Sequence, residues 1–269
     1  MKVYILGSGS KGNSTLIVGN NKKILIDVGF SYPKMKMLLE NYGVDPNDID
    51  AILITHDHSD HIGGLSQFIK KHSIKVCANE VLAGQLLRIV NEDDILIVDT
   101  EFDIDDFHIE SFKTSHDAVG SVGYIITEDD KSIVYVTDTG YINNRNLKKL
   151  VNKDLYIFES NHDVEMLMNG PYPYILKQRV LSDKGHLSNE LSGTYLKELI
   201  GDKTKKIVLA HLSEINNTPE VALKTVKEIV DNKDIEIINA FQDEPIDVGE
   251  VWLRLYVLGK LKKLIIEMQ

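Results

Sequence analysis

The 269-residue sequence contains a single cysteine, Cys77. One thiol cannot form an internal disulfide or build a thiolate metal site, so the sequence excludes a disulfide-stapled fold and is typical of a reducing compartment. The sequence also lacks any run of about 20 uninterrupted apolar residues, which argues against a membrane-spanning helix. The apolar run near Met1 is too short for a secretory signal. We therefore expect a cytoplasmic protein with no membrane partner.

Basic residues are fewer than acidic ones. There are 30 Lys and Arg against 41 Asp and Glu, which gives a formal net charge of −11. This balance argues against a broad nucleic-acid footprint, because phosphate contacts are normally made by clustered Lys and Arg. It does not exclude a local basic groove, and bound metal ions would add positive charge.

No linker, internal repeat or low-complexity segment interrupts the chain. We therefore expect one domain over residues 1–247, large enough for a sizeable core. The tail, residues 248–269, is apolar and basic without clean periodicity. Packing against the domain is favoured there over a docking helix, a membrane-surface segment or a contact in a homo-oligomer.

Apolar periodicity predicts the elements of this domain. Predicted strands are residues 2–6, 15–18, 23–27, 51–55, 74–77, 95–98, 108–114, 123–127, 132–137, 155–159, 206–210 and 235–239. Predicted helices are residues 32–42, 62–71, 80–90, 164–168, 175–181, 189–199 and 219–232. Because the strands fall into two groups, each followed by helices, we expect an α/β fold: an αβ/βα sandwich of two mixed β-sheets with outer helices.

One short segment, residues 55–61, concentrates metal-binding side chains. It follows a predicted strand and reads Thr-His-Asp-His-Ser-Asp-His. In an irregular loop, His56 and His58 can converge on one point while Asp60 and His61 converge on another. Imidazole and carboxylate groups suit Zn²⁺ and also Mn²⁺ or Fe, so the spacing predicts two adjacent divalent-metal sites without choosing the metal.

Four local ligands cannot complete two sites, so this hypothesis requires further His or Asp residues at later strand ends. His116, Asp138 and His211 each follow a predicted strand. Each taken alone is more often a capping or surface residue. Three such residues at the positions the geometry requires favour ligands.

Together with Asp27, these residues resemble the metallo-β-lactamase superfamily over about residues 1–240. The resemblance implies that fold and a dinuclear metal-dependent hydrolase. It implies that one ion is held by His56, His58 and His116, the other by Asp60, His61 and His211, and that Asp138 bridges both. Asp27 would be a buried residue that orients the motif loop, residues 55–61. Asp60 would also accept a proton from the attacking water.

Further segments resemble the bacterial YycJ/WalJ group of this superfamily. They are residues 7–14, 114–118, 159–163, 172–173, 176–179, 185–189, 211–213 and 216–217. The resemblance implies a metal-dependent exonuclease that digests double-stranded DNA from the 5′ end, in DNA repair or metabolism. It also predicts DNA, at a duplex end, as the partner.

Several residues outside the ligand set are candidates for the chemistry of such an enzyme. Glu159, at the end of a predicted strand, would orient His186 as the proton donor to the leaving oxygen, a pairing that also resembles tRNA 3′-processing nucleases. Candidate substrate contacts are Ser10, Lys11, Asn13, His162, Lys177 and Arg179. The alternative for Lys177 and Arg179 is the solvated face of a helix. The alternative for His162 is a place at a helix N-terminus, where Asp163 complements the helix dipole.

Two other functions use the same metals. A small-molecule hydrolase of the thioesterase or lactonase type would act on a carbonyl group, and the acidic charge favours it slightly. A metal-binding protein without turnover is disfavoured, because all seven ligand positions are intact. No insertion of β-CASP size lies between Asp138 and His211, which argues against the RNA-processing nucleases of the superfamily.

Overall fold

The computed structural model describes residues 1–251, in which two seven-stranded sheets face each other. The strands are β1 (Lys2–Gly7), β2 (Ser14–Val18), β3 (Lys23–Ile26), β4 (Ala51–Leu53), β5 (Lys75–Ala78), β6 (Ile95–Ile97), β7 (Glu101–Ile104), β8 (Phe107–Lys113), β9 (Val122–Glu128), β10 (Lys131–Val136), β11 (Leu155–Glu159), β12 (Lys206–Ala210), β13 (Glu236–Asn239) and β14 (Ile246–Glu250). The first sheet has the order β14-β1-β2-β3-β4-β5-β6 and the second the order β13-β12-β11-β10-β9-β8-β7. Both sheets are mixed: β3 to β6 and β10 to β13 run parallel, and the other pairs are antiparallel.

Nine α-helices accompany the sheets in residues 1–251, and most of them cover the outer faces of the sheets. They are α1 (Tyr32–Glu40), α2 (Ser59–Ile62), α3 (Leu65–Lys71), α4 (Glu80–Leu86), α5 (Asn144–Leu150), α6 (Val164–Asn169), α7 (Tyr174–Val180), α8 (Asn189–Leu199) and α9 (Pro219–Val230). No helix in residues 1–251 is both long and apolar enough to cross a bilayer.

Alternation along the strands produces three apolar layers. In β1, Val3 and Ile5 face the second sheet, whereas Tyr4 and Leu6 pack in the layer that holds α1, α3 and α4. This follows because successive side chains of a strand point to opposite faces. A third layer packs β10 to β13 against α5, α8 and α9. The predicted αβ/βα sandwich is confirmed.

Several element predictions were incomplete. The helix predicted at 62–71 is two helices, because the chain turns at Gly63 and Gly64; a Cβ on Gly64 would lie 1.8 Å from the carbonyl oxygen of Phe30. Strands β7 and β14 and helix α5 were not predicted. They are short and largely polar, so they carry little apolar periodicity.

Strand β14 crosses residue 247, where we placed the domain boundary, and pairs with β1. Residues 252–269 of the predicted tail lie outside the described residues. Within the sandwich, the carboxyl ends of the parallel strands β3 and β4 meet those of β10, β11 and β12, since Asp27, His56, Asp138, Glu159 and His211 come together there. Ligands commonly bind at such an edge of parallel strands.

Candidate metal centre

Asp27 anchors the motif loop to the end of β3. Its Oδ1 accepts the backbone N–H of Thr55 at 2.8 Å, and its Oδ2 accepts the Thr55 hydroxyl at 2.8 Å. The same Oδ2 lies 2.7 Å from Nδ1 of His61, and both side chains are fully buried. Asp27 therefore holds the His61 ring so that Nε2 faces the other candidate ligands.

The glycine-rich first loop, residues 8–13, packs directly on the motif loop. The backbone N–H of Asn13 donates to the Asp60 carbonyl at 2.8 Å, and Gly29 donates to the Asn13 carbonyl at 3.0 Å. Asn13 Nδ2 lies 3.0 Å from His61 Nε2 and 3.3 Å from Asp60 Oδ2. A Cβ on Gly29 would lie 1.9 Å from the Asp60 carbonyl oxygen, so only glycine permits this approach.

The seven predicted ligands come together in four overlapping groups, in each of which the ligand atoms lie within 4.8 Å of one another. These groups are His56, His58 and His116; His56, His61 and Asp138; Asp60, His61 and His211; and Asp138, Glu159, His186 and His211. Asp138 belongs to two of the groups. The structure therefore brings all seven predicted residues together and places Glu159 and His186 beside Asp138 and His211.

The nitrogen and oxygen atoms of the cluster lie close enough together to bind the same cation. His58 Nδ1 lies 3.2 Å from His116 Nε2. Asp138 Oδ1 lies 3.6 Å from His211 Nε2, and Asp138 Oδ2 lies 3.3 Å from His61 Nε2. Asp138 Oδ1 also lies 3.7 Å from His116 Nε2, so Asp138 is near members of both predicted ligand sets.

Unpartnered polar atoms indicate that the cluster suits a cation. His56 Nε2 and His211 Nε2 are buried and have no hydrogen-bond partner within residues 1–251. Buried polar atoms are normally paired, because leaving them unpaired costs free energy. A cation among these nitrogens and carboxylates would satisfy them, and the donor set fits a divalent metal ion.

The backbone at three of these positions is strained. Asp27, Asp138 and His211 have φ values of 60°, 57° and 56°, in the left-handed region that non-glycine residues rarely adopt. Such conformations cost about 1–3 kcal/mol each and persist where the surrounding structure enforces them. All three residues follow a strand end, so the strain turns each side chain into the cluster.

Electrostatics keep the cluster carboxylates ionised. Burial alone would raise the pKa of Asp138, but His211, His61 and His56 hold it well below its usual range. Burial likewise opposes ionisation of Asp60, whose pKa is lowered by the nearby imidazoles of His211 and His61. Ionised carboxylates are the form that binds a metal ion, whereas His61 and His211, whose pKa values are raised by Asp138 against the effect of burial, would lose their protons on metal binding.

Glu159 connects His186 to the cluster. Its Oε1 lies 2.7 Å from His186 Nδ1 and 3.1 Å from His211 Nδ1. Its Oε2 accepts the backbone N–H of Thr139 at 3.0 Å and of Leu187 at 3.2 Å. Burial opposes ionisation, yet His186 and the hydrogen bond from His211 hold the pKa of Glu159 at about 2. An ionised Glu159 orients both imidazoles through Nδ1, which leaves Nε2 of each for the site.

The sequence model of the metallo-β-lactamase superfamily matches residues 7–211, which contain every one of these residues. The chain belongs to the metallo-β-lactamase superfamily, in its WalJ/YycJ group. The exodeoxyribonuclease WalJ of Streptococcus pneumoniae is 44% identical over 232 residues, which cover 84% of this chain and 86% of WalJ. The exodeoxyribonuclease YycJ of Bacillus anthracis is 36% identical over 243 residues, covering 88% of this chain and 92% of YycJ.

A solved structure supports the fold independently. The metallo-β-lactamase fold protein YhfI from Bacillus subtilis superimposes with a TM-score of 0.72, covers 91% of this chain and 99% of its own, and is 19% identical. This likeness concerns the fold alone. Together with the His and Asp clusters, membership of the metallo-β-lactamase superfamily indicates a divalent-metal site in this protein.

Two of the predicted substrate contacts lie at the metallo-β-lactamase site. Ser10 and Arg179 line a cavity beside His116 and His186. Arg179 also donates from Nε and Nη2 to Asp117 Oδ2, at 2.7 and 2.6 Å.

The other four predicted contacts do not line this cavity. Lys11 pairs with Glu214 at 2.6 Å, and Lys177 Nζ donates to the Met168 carbonyl at 2.7 Å. Asn13 is buried against the motif loop, as described above. The His162 side chain is buried, and its neighbour Asp163 caps α6 by accepting the Met166 N–H at 2.8 Å.

Sequence reasoning assigned no role to three residues that the structure places at the site. Asp117 Oδ1 lies 3.5 Å from His58 Nε2, so this carboxylate joins Arg179 to a candidate ligand. Lys184 and Asn216 line the cavity. Asp117 directly follows His116 and Lys184 is two residues before His186, so proximity to candidate residues was the available signal.

Proposed function

We propose that this protein is a dinuclear metal-dependent phosphodiesterase, specifically a 5′ exonuclease on double-stranded DNA that serves DNA repair or metabolism. Two relatives that it matches over most of their length are named exodeoxyribonucleases, which supports a nucleic-acid substrate. The structural observation that carries the proposal is the Glu159–His186 pair beside the metal cluster. A phosphodiester has a leaving oxygen that requires a proton, and in this proposal His186, held by Glu159, supplies it.

Two divalent ions, Zn²⁺ or Mn²⁺ with Fe as a further candidate, would be held by the seven ligands in two sets. In this proposal His56, His58 and His116 form one set, Asp60, His61 and His211 form the other, and Asp138 is common to both. Ions bound there would lower the pKa of water and neutralise charge on the phosphoryl oxygens.

The chain's own residues then orient the reacting groups. Asp60, whose side chain is partly exposed, accepts a proton from the attacking water. His186 donates a proton from Nε2 to the leaving oxygen while Glu159 holds Nδ1 at 2.7 Å. Ser10 and Arg179, on the cavity wall, contact substrate phosphate oxygens. We place this enzyme in the reducing cytoplasm, because its one cysteine, Cys77, is a free thiol.

Parallel assays separate this proposal from the small-molecule alternative, which the net charge of −11 favours. Metal-loaded protein is incubated with duplex DNA and, separately, with a panel of thioesters and lactones; Asp138→Ala serves as the inactive control. The proposal predicts nucleotide release from DNA that the Asp138→Ala variant lacks. Absence of DNA cleavage together with rapid thioester or lactone turnover would establish the alternative instead.

A further inference from the structure

A cavity of about 130 Å³ opens beside His116 and His186, at the edge of the metal cluster. Its polar lining comes from Ser10, Asn161, Arg179, Lys184, Ser213 and Asn216. Within residues 1–251, no Asp or Glu contributes to this lining, although the chain contains 41 acidic residues. A wall that carries two cations and no carboxylate selects for an anion.

The two cations of the wall differ in their partners. Arg179 is bound through Nε and Nη2 by Asp117, so its charge is partly neutralised and its guanidinium is held in place. Lys184 forms no ion pair with any carboxylate of the described chain. Lys184 therefore supplies the uncompensated positive charge of the cavity.

Hydroxyl groups add hydrogen-bond donors to the same wall. Ser213 Oγ accepts the backbone N–H of Asn216 at 3.2 Å, which leaves the hydroxyl hydrogen available to donate. Ser10 presents a second hydroxyl from the first loop. Hydroxyl and cationic donors together are the groups that proteins use to bind phosphate oxygens.

Size limits what the cavity accepts. Sites for drug-sized ligands are roughly 300–1,000 Å³, so a cavity of about 130 Å³ suits a single phosphate group better than a whole nucleotide. The metal cluster is the place for the scissile phosphodiester in the function proposed above. The cavity adjoins that place, since His116 and His186 form part of its lining.

We propose that this cavity is an anion site for a second phosphate of the substrate, held by Lys184, Arg179 and the two serine hydroxyls. The inference rests on the proposed function, because it assumes a substrate with more than one phosphate. That phosphate is either a terminal 5′-phosphate monoester or the phosphodiester next to the scissile bond. Both sources present anionic non-bridging phosphate oxygens to the cavity.

Lys184 variants test this site without touching the metal ligands. KM and kcat are measured for Lys184→Ala, Lys184→Glu and Lys184→Arg on duplexes with 5′-phosphate or 5′-hydroxyl ends. The matched control is Lys203→Ala. Lys203 is exposed and precedes β12, so it lies at the opposite end of that strand from His211. We expect Lys184→Ala to raise KM about tenfold, as for loss of one charge-assisted bond, with kcat changed little. We expect a larger rise for Lys184→Glu and recovery in Lys184→Arg.

The end chemistry identifies the source of the phosphate. A rise in KM confined to 5′-phosphorylated duplexes supports a terminal monoester, and an equal rise on both duplexes supports the neighbouring phosphodiester. Unchanged KM values for both Lys184→Ala and Lys184→Glu on both duplexes would overturn the anion site while leaving the nuclease proposal intact.

A DNA-binding measurement tests the anion site independently of nuclease activity. Fluorescence anisotropy of labelled duplexes is measured over a salt series in the Asp138→Ala background, with and without Lys184→Ala. Loss of one phosphate contact should reduce the slope of log affinity against log salt by about 1. A reduced slope supports the anion site even if the wild type cleaves no DNA, and an unchanged slope contradicts it.

Discussion

The Nδ1 atom of His61 lies 2.7 Å from Oδ2 of Asp27, and both side chains are fully buried beneath the metal cluster. The contact directs His61 Nε2 towards Asp138 and Asp60, at 3.3 and 3.5 Å from their Oδ2 atoms. A carboxylate behind a ligating histidine fixes the ring and raises its basicity. The buried Asp27 side chain therefore fixes the orientation of His61, a candidate metal ligand.

Asp27→Asn should weaken metal binding by about 10–100-fold, because loss of such a carboxylate partner has that cost at other metal sites. The affinity is measured by competition with a chelator, with circular dichroism as the check on folding. Asp154→Asn is a matched control, since Asp154 is also buried but accepts hydrogen bonds from Ser132 before the start of β11. Equal metal affinity in wild type and Asp27→Asn would refute this role.

His186→Ala should lower the rate on DNA by about 10²–10⁴-fold, the usual contribution of a positioned general acid. The loss should be small on a nitrophenyl phosphodiester, whose leaving group departs without a proton. Glu159→Gln should show the same substrate dependence, because Glu159 holds His186 Nδ1 at 2.7 Å, together with a loss on both substrates, because Glu159 also contacts the candidate ligand His211. Steady-state rates on the two substrates give the comparison. Equal losses on both would show that His186 is not a proton donor.

Gly29→Ala should separate the first loop from the motif loop, because the new Cβ would lie 1.9 Å from the Asp60 carbonyl oxygen and 2.5 Å from the Asn13 nitrogen. We expect a loss of about 1–3 kcal/mol in the free energy of unfolding, or more, together with weaker metal binding. Gly84→Ala is the control: it lies in α4 with no atom within 4 Å of its Cβ position, so alanine should be neutral or stabilising there. Equal stability of the Gly29→Ala variant and the wild type in urea unfolding would contradict the packing described.

Burial raises the pKa of the Cys77 thiol from 9.0 to about 11. Since the folded pKa is the higher one, the stability that the neutral thiol contributes is present below about pH 9 and is lost as pH rises through about 11. At pH 8 a disulfide reagent should label native protein only slowly, because the reactive thiolate is scarce and inaccessible. Labelling in urea should be complete. Rapid labelling of the native protein would contradict this burial.

Sequence reasoning located the candidate ligands because each is marked locally. His56, His58 and His61 lie within one short segment, and Asp138 and His211 each follow an apolar strand. The structure brings all of them into one cluster. The sandwich was predictable for a similar reason, since buried strands and amphipathic helices carry strong periodicity.

Contacts between distant segments were not predictable in the same way. The second contact of Glu159, to His211, joins residues 52 positions apart. The bidentate pair of Arg179 with Asp117 joins residues 62 positions apart. Sequence spacing carries no signal for such contacts, because they depend on how the strands are ordered in the sheet. Lys184 likewise reads as an ordinary surface lysine until the cavity is seen.

Metal-dependent digestion of duplex DNA from the 5′ end is tested most directly by following the fate of a label at each end of the same duplex. Metal-loaded protein is incubated with duplexes labelled at either the 5′ or the 3′ end, and products are resolved over time. We predict that labelled mononucleotide appears at once from the 5′ label, that the 3′ label stays in progressively shorter strands, and that Asp138→Ala or a chelator abolishes both. Intact strands at both labels, in metal-loaded wild-type protein, would contradict the account.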